Sequence, residues 1–152
     1  MKLSRTTEYA LQATLELAQS TTGCPVSSTR LAASTSMPER FLLQVLRNLV
    51  THGILSSTLG VVGGYRLQRR PVDITLLDLI EAIEGPVTGC LTAGNVLSED
   101  IQTTVRVILD DIAESTRSQL EQITLADLLQ SPTEPLAPPI TEVFLWLDTT
   151  TY

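Results

Sequence analysis

Apolar residues recur at helical spacing along the first part of the chain, and this pattern predicts two helices. The first is expected at residues 3–20, which contain no Gly or Pro. A second, shorter helix is expected at residues 29–34, with Ser27 or Ser28 as its N-cap.

A third helix is predicted by the stretch that follows. Ser36-Met37-Pro38-Glu39 is expected to form a capping box, in which the Ser hydroxyl and the Glu carboxylate bond free amide groups. The helix runs to about Thr51, and Gly53 suits the left-handed backbone that ends many helices. At about 100° per residue, one face is wholly apolar: Leu42, Val45, Leu46 and Leu49.

Two short strands are predicted next, at residues 54–59 and 64–67, with a glycine-rich turn between them. Three helices followed by a hairpin are typical of a helix-turn-helix with a wing. We therefore expect a mainly α fold with a small β-hairpin, a winged helix-turn-helix extended by a long dimerisation helix.

Three more helices are predicted in the second half. Thr75 and Asp78 begin the fourth helix, which ends at Gly85. Thr124 begins the last helix with the same type of sequence. The fifth helix, at about residues 98–122, is longer than a small domain needs. Its apolar stripe is therefore predicted to be a homodimer interface, although packing within one subunit is the alternative: Ile101, Val105, Ile108 and Ile112.

Charge is unevenly distributed along the chain, whose net charge is −7. Residues 1–70 hold eight basic and three acidic side chains, whereas residues 71–152 hold two and fourteen. The first part is thus at +5 and the second at −12. A basic first part indicates that this end of the molecule meets a polyanion.

The polar face of the third helix suits the major groove of DNA. It presents Arg40, Gln44 and Arg47, with Leu43 at the edge. Arg pairs with guanine or phosphate, Gln pairs with adenine, and Leu contacts the thymine methyl group. A solvated amphipathic helix is the alternative, but the preceding helix and the following wing favour DNA.

Other functional classes find little support in the sequence. No apolar run is long enough to cross a membrane, and no signal peptide is evident, so a cytoplasmic protein is expected. No nucleophile–base pattern appears, and the glycine-rich turn lacks the Lys of a phosphate-binding loop. We therefore expect a protein that is not an enzyme.

Several motifs resemble one known family. The chain is similar to the family of the iron–sulfur cluster regulator IscR, which includes nitric-oxide-sensing and cysteine-metabolism repressors, over about residues 1–130. The shared motifs are Met1-Lys2-Leu3-Ser4, Glu8-Tyr9-Ala10-Leu11, Leu17-Ala18, Phe41-Leu42-Leu43-Gln44-Val45-Leu46, Gly53-Ile54-Leu55, Gly63-Gly64-Tyr65-Arg66-Leu67, Ile74-Thr75-Leu76 and Glu84-Gly85-Pro86.

The resemblance implies a dimeric transcriptional regulator, expected to be a repressor, that binds double-stranded DNA at a pseudo-palindrome. The third helix enters the major groove and the wing enters the minor groove. The predicted DNA-binding residues are Arg5, Ser28, Arg40, Phe41, Leu43, Gln44, Arg47, Gly60 and Arg66.

The chain departs from the family in the wing and in the recognition helix. Leu59 stands where the family usually has Arg before the first glycine, and Val61-Val62 replaces Pro-Gly. Wing contact is therefore expected to be weaker or confined to backbone atoms. Leu43 stands where an acidic residue is frequent, so a different operator is expected.

A second departure concerns the cluster. Family members that bind one carry three cysteines before the long helix, whereas this loop has only Cys90, and Cys24 is distant. One thiolate cannot hold a cluster with four ligand positions, so we expect no cofactor and no metal site. Cys90 is either a redox thiol or a small buried residue, with burial the favoured alternative.

Three regions are predicted: residues 1–70 for DNA binding, 71–130 for a linker helix, sensor loop and dimerisation helix, and 131–152 as a Pro-rich tail. An effector, either a regulatory protein or a small molecule, is a further possible partner. The competing hypothesis is a protein-interaction module that has kept the fold and lost DNA binding. The acidic second part, the altered wing and Trp146 in the tail motivate it.

Overall fold

A computed structural model of the chain describes residues 2–20, 24–60, 63–89 and 98–130. Within them are six α-helices and one antiparallel hairpin. The helices are α1 (Arg5–Gln19), α2 (Ser28–Thr35), α3 (Glu39–Thr51), α4 (Leu76–Glu84), α5 (Glu99–Glu121) and α6 (Leu125–Gln130). The strands are β1 (Leu55–Thr58) and β2 (Gly64–Leu67), and a 3-10 turn covers Pro71–Asp73. The mainly α fold with a small hairpin is confirmed.

The main hydrophobic core draws on α1, α2, α3, β1, α4 and α6. Its members are aliphatic, as expected for a chain with few aromatic residues, and none of the following is exposed to solvent: Ala10, Ala13, Leu31, Leu42, Val45, Leu46, Leu49, Ile54, Leu55, Ile74, Leu79 and Leu125. The four residues predicted for the inner face of α3 are all in this set. Each Leu, Ile or Val side chain of this set stabilises the fold by about 1.5–3 kcal/mol through burial.

The predicted capping box at the start of α3 is wrong. Ser36 instead ends α2, with a left-handed backbone at φ 53°. The N-cap of α3 is Pro38, which has no side-chain donor or acceptor, so no side-chain cap forms. The Glu39 carboxylate accepts hydrogen bonds from the hydroxyls of Ser28 and Thr29, at 3.0 and 3.1 Å. Glu39 therefore links α3 to the start of α2.

The wing consists of the two strands and their glycine-rich turn. β1 is shorter than predicted, and β2 has the predicted bounds; Leu55 pairs with Leu67, and Thr58 with Gly64. The chain before α2 joins the hairpin, because Val26 and Tyr65 exchange two backbone hydrogen bonds of 2.9 Å. Val61 and Val62 lie outside the described residues.

The two similar caps of α4 and α6 form as predicted. Thr75 and Asp78 make a full capping box, with both hydrogen bonds at 3.1 Å. Thr124 and Asp127 repeat this arrangement, and the Thr124 hydroxyl and amide lower the pKa of Asp127. The segments pair, since Thr75 and Thr124 form an antiparallel bridge. This bridge holds α6 against the start of α4.

Helix α5 contributes little to the core. Leu120 is its one buried residue. The guanidinium of Arg117 bonds the carboxylate of Glu81 on α4, which also accepts the backbone N–H of Val87 at 3.1 Å. Its last turns are thus tied to α4 mainly by this polar contact and by Leu120.

Two glycines with positive φ provide a matched test of the wing. A Cβ at Gly64 would lie 2.4 Å from the carbonyl oxygen of Val26, whereas a Cβ at Gly53 would meet nothing within 4 Å. We expect Gly64→Ala to lower the free energy of unfolding by about 3 kcal/mol or more, because backbone must move. Gly53→Ala should cost only about 1–2 kcal/mol for its left-handed conformation. Urea unfolding of both variants measures the two losses of unfolding free energy, and equal losses would contradict this expectation.

Candidate nucleic-acid interface

The outer face of α3 carries the charged residues that the sequence predicts. Arg40, Gln44 and Arg47 are exposed, and Leu43 is half-buried. Among the described residues, no carboxylate lies within ion-pair distance of either guanidinium. These two positive charges are therefore free to meet an anion.

Phe41 holds α3 against α1. Its ring is 38% exposed and meets the Tyr9 ring edge-on, with centroids 5.6 Å apart and an interplanar angle of 74°. This arrangement suits the quadrupoles of two aromatic rings. Phe41, predicted to contact DNA, is thus also a packing residue that orients the first turn of α3.

The N-terminal end of α2 contains the predicted residue Ser28. Its hydroxyl donates to Glu39, while Ser27 caps the helix by accepting the N–H of Arg30 at 3.3 Å. A phosphate bound here would compete with Glu39 for the Ser28 hydroxyl. Sequence reasoning placed Glu39 in a capping box and missed its contact with Ser28, because the pair lies 11 residues apart and no local motif marks it.

The wing is the third part of the candidate interface. Leu59 at its tip is 97% exposed, and the following residue, Gly60, has φ +114°. Arg66 is exposed on β2, and its Nε donates to the Ser56 hydroxyl at 3.3 Å. The positive charge of the described wing therefore lies on the strand and not at the tip.

The start of α1 is the fourth part. Ser4 caps this helix by accepting the N–H of Thr7 at 3.2 Å, and the next residue, Arg5, is exposed. Arg5 and Tyr9 are four residues apart and share a face of the helix. Since Tyr9 contacts Phe41, the start of α1 is linked to the start of α3.

A separate apolar surface runs along α5. Ile101, Ile108 and Ile112 are 51%, 52% and 57% exposed, and Val105 is half-buried. Val107 is 57% exposed but points about 100° or more away from this stripe around the helix. Three exposed isoleucines on one face are unusual for a surface that only water covers.

The described residues offer no metal site: they contain no group of three His, Cys, Asp or Glu side chains that could hold an ion. Cys24 is exposed beside a surface cavity of about 600 Å³ between α1 and the wing. The Nδ1 atom of His52 lies 2.9 Å from the carbonyl oxygen of Asn48. Cys90 and the tail at 131–152 lie outside the described residues. No described helix is long and apolar enough to span a bilayer.

The sequence matches a protein-family model described as Rrf2, iron-dependent transcriptional regulator, over residues 3–131. An HTH-type transcriptional regulator of Mycobacterium tuberculosis is 33% identical over 130 residues, covering 84% of this chain and 81% of the relative. Identity with the HTH-type transcriptional regulator CymR of Bacillus subtilis is 32% over 128 residues, covering 84% and 89%.

Solved structures agree with this relationship. The structure of CymR, the global cysteine regulator of B. subtilis, aligns with a TM-score of 0.67 at 28% identity, covering 85% of this chain and 96% of that one. IscR of T. potens aligns with a TM-score of 0.65 at 31% identity, covering 85% and 86%. The winged-helix fold and the resemblance to the IscR-like family are confirmed. The chain belongs to the Rrf2 family of transcriptional regulators, which are DNA-binding proteins and not enzymes.

Proposed function

We propose that the chain is a transcriptional repressor that binds a pseudo-palindromic operator as a homodimer and holds no iron–sulfur cluster. One observation carries the DNA-binding part. The inner face of α3 is completely buried, so Arg40, Gln44 and Arg47 project outward from a fixed helix. Residues 1–70 supply the DNA contacts, and residues 71–130 supply the dimer contacts.

Each part of the interface has its own task. On α3, Arg40 and Arg47 bind guanine or phosphate, Gln44 binds adenine, and Leu43 meets a thymine methyl group. A good bidentate pair discriminates against a wrong base by about 1–3 kcal/mol. The remaining contacts go to the phosphate backbone and the minor groove, and they position the protein without reading the sequence: Arg5, Ser28, Phe41, Gly60 and Arg66.

The wing is expected to contribute only modestly to DNA specificity. The minor groove of A-tracts attracts Arg through its narrow, negative channel. The tip residue here, Leu59, is uncharged, whereas Arg66 lies on the strand. We therefore assign Arg66 to a flanking phosphate and Gly60 to a backbone contact. Specificity then depends mainly on α3.

The exposed stripe of α5 supports the homodimer. A second copy that lays its own α5 against this stripe would bury Ile101, Ile108 and Ile112 of both chains. Such an interface is self-complementary, as two-fold symmetry requires. Two recognition helices related by that axis would read two half-sites separated by whole turns of DNA.

The donor set does not fit an iron–sulfur cluster, although the family description includes iron dependence. The whole chain has two cysteines and one histidine. Cys24 is exposed near the wing, and His52 is at the end of α3. A cluster takes four ligands, usually thiolates, which this chain lacks. Two Cys90 side chains from a dimer would fill only two positions.

The recognition helix is tested with selected DNA. A random library is first enriched with the purified protein, and the recovered site is then titrated at several salt concentrations. Arg40→Ala combined with Arg47→Ala should weaken binding at least about 30-fold, because each lost contact costs about 1 kcal/mol or more. Arg106→Ala, an exposed arginine on α5, is the matched control and should change affinity less than about twofold.

An unchanged affinity in the double variant would contradict the assignment to α3. Failure to enrich any DNA, at every salt concentration, would favour the interaction-module hypothesis instead. If the bound sites have no two-fold symmetry, the pseudo-palindrome is wrong even though DNA binding stands.

The dimer interface is tested by two substitutions, one inside and one outside the apolar stripe of α5. Ile108→Glu places a charge in the stripe and should shift the protein from dimer to monomer at micromolar concentration, because a buried unpaired carboxylate is costly. Val107→Glu makes the same chemical change outside the stripe and should remain dimeric. Analytical ultracentrifugation separates the two states. A monomeric wild type, or an identical response of both variants, would refute the proposed interface.

The absence of a cluster is tested by composition. Protein purified without oxygen should contain no iron or sulfide above buffer background and no visible charge-transfer absorption. Stoichiometric iron and sulfide in such a sample would overturn this part of the proposal. Atomic absorption and an ultraviolet–visible spectrum of one preparation decide between the two.

A further inference from the structure

Helix α4 holds the N-terminal end of α1 through one carboxylate. Oε1 of Glu84 accepts the backbone N–H of Ser4 at 2.9 Å and the hydroxyl of Thr7 at 2.5 Å. Thr7 is only 1% exposed, so its hydroxyl has no free access to water. This contact joins residues about 80 positions apart in the sequence. It fixes the first turn of α1 where chain ends usually fray.

The same turn of α1 carries the proposed contact Arg5. Thr7 points about 160° away from both Arg5 and Tyr9 around the helix, so opposite sides of one turn meet α4 and α3. Tyr9 packs on Phe41 at the start of the recognition helix. The position of Arg5 relative to α3 is thus set from two sides, by Glu84 and by the aromatic pair.

A second carboxylate, on the other side of α4, links this helix to α5. Glu81, one turn before Glu84, accepts from Arg117 of α5 and from the N–H of Val87. The two carboxylates therefore have different partners. Glu81 pairs with a cation within residues 71–130, whereas Glu84 accepts from two neutral donors within residues 1–70. Removing Glu84 frees the first turn of α1 from α4 and leaves the contact between α4 and α5 in place.

We infer that Glu84 is a positioning residue for DNA binding: by accepting hydrogen bonds from Ser4 and Thr7, it holds Arg5 where α1 and the recognition helix meet the same DNA. The inference rests on the proposed role of Arg5 as a phosphate contact. It assigns to the Glu of the Glu-Gly-Pro motif a task beyond the end of α4.

The ionised form makes this contact. The hydrogen bond from Thr7, and then that from Ser4, lower the pKa of Glu84 below its ordinary value of 4.5. A depressed pKa means that the carboxylate is the stronger acceptor, and that this added strength is complete at neutral pH and declines as the pH falls through the lowered value, leaving the weaker acceptor of the neutral acid. Assays near pH 7 therefore observe the intact contact.

The sign of the effect separates positioning from charge. Glu84→Ala removes a negative charge, which by itself should strengthen binding to a polyanion. Positioning predicts the opposite, a loss of about three- to tenfold with a salt slope smaller by about two, as expected when each subunit of the dimer loses one phosphate contact. Glu8→Ala is the matched control, because it removes an exposed carboxylate from the same turn of α1. The affinity of the Glu8→Ala variant for DNA should be unchanged or slightly higher.

A double-mutant cycle with Arg5→Ala tests the mechanism on the enriched DNA site. In the Arg5→Ala background, Glu84→Ala should cost less than about twofold further, because the residue it positions is gone. Glu84→Gln keeps an acceptor oxygen for both donors and should retain nearly the wild-type affinity. Sedimentation and thermal melting of each variant verify that it remains folded and in the wild-type assembly state.

Each remaining outcome overturns the inference. If Glu84→Ala binds as well as Glu8→Ala, the carboxylate positions nothing. If Glu84→Ala weakens binding equally in both backgrounds, it does not act through Arg5. If Arg5→Ala binds normally while Arg40→Ala with Arg47→Ala does not, the inference fails and the proposed DNA-binding function stands.

Discussion

The burial of one face of α3 is the constraint on which the candidate interface depends. Turning the helix about its axis would expose leucines that are now 0% exposed, at about 1.5–3 kcal/mol each. It would also bury Arg40 or Arg47 without a partner, which costs several kcal/mol more. The outward direction of both guanidiniums therefore needs no polar contact to hold it. Apolar packing alone orients the face that meets DNA.

The same reasoning explains why much of the fold is predictable from the sequence. The inner face of α3, the Thr75–Asp78 capping box and the left-handed Gly53 depend on residues within one or two turns of each other. Periodicity and capping rules cover this range. The start of α3 is the exception. There, Ser36 has two local roles open to it, and ending α2 excludes capping α3.

The supports of the site are not predictable in this way. Glu84 with Thr7 and Ser28 with Glu39 join elements whose approach depends on the whole core. In the sequence, Glu84 is only the last residue before a Gly-Pro helix end, and Glu39 fits a local capping box that does not form. Sequence patterns therefore predict which side chains are available for DNA. The contacts that orient them follow only from the packed structure.

Added salt acts in opposite directions on dimerisation and on DNA binding, the two associations that the proposed function requires. Helix α5 holds six acidic and two basic residues, so each copy of the helix is at −4. Packed helices lie about 8–10 Å apart, which is close to the Debye length of about 8 Å at physiological salt. Added salt therefore screens repulsion between two α5 helices and favours the dimer, whose contacts are apolar. The contacts of residues 1–70 with phosphate weaken under the same change, because bound cations are no longer released into a dilute solution. Loss of DNA binding at high salt thus reports the loss of phosphate contacts and not the separation of the subunits.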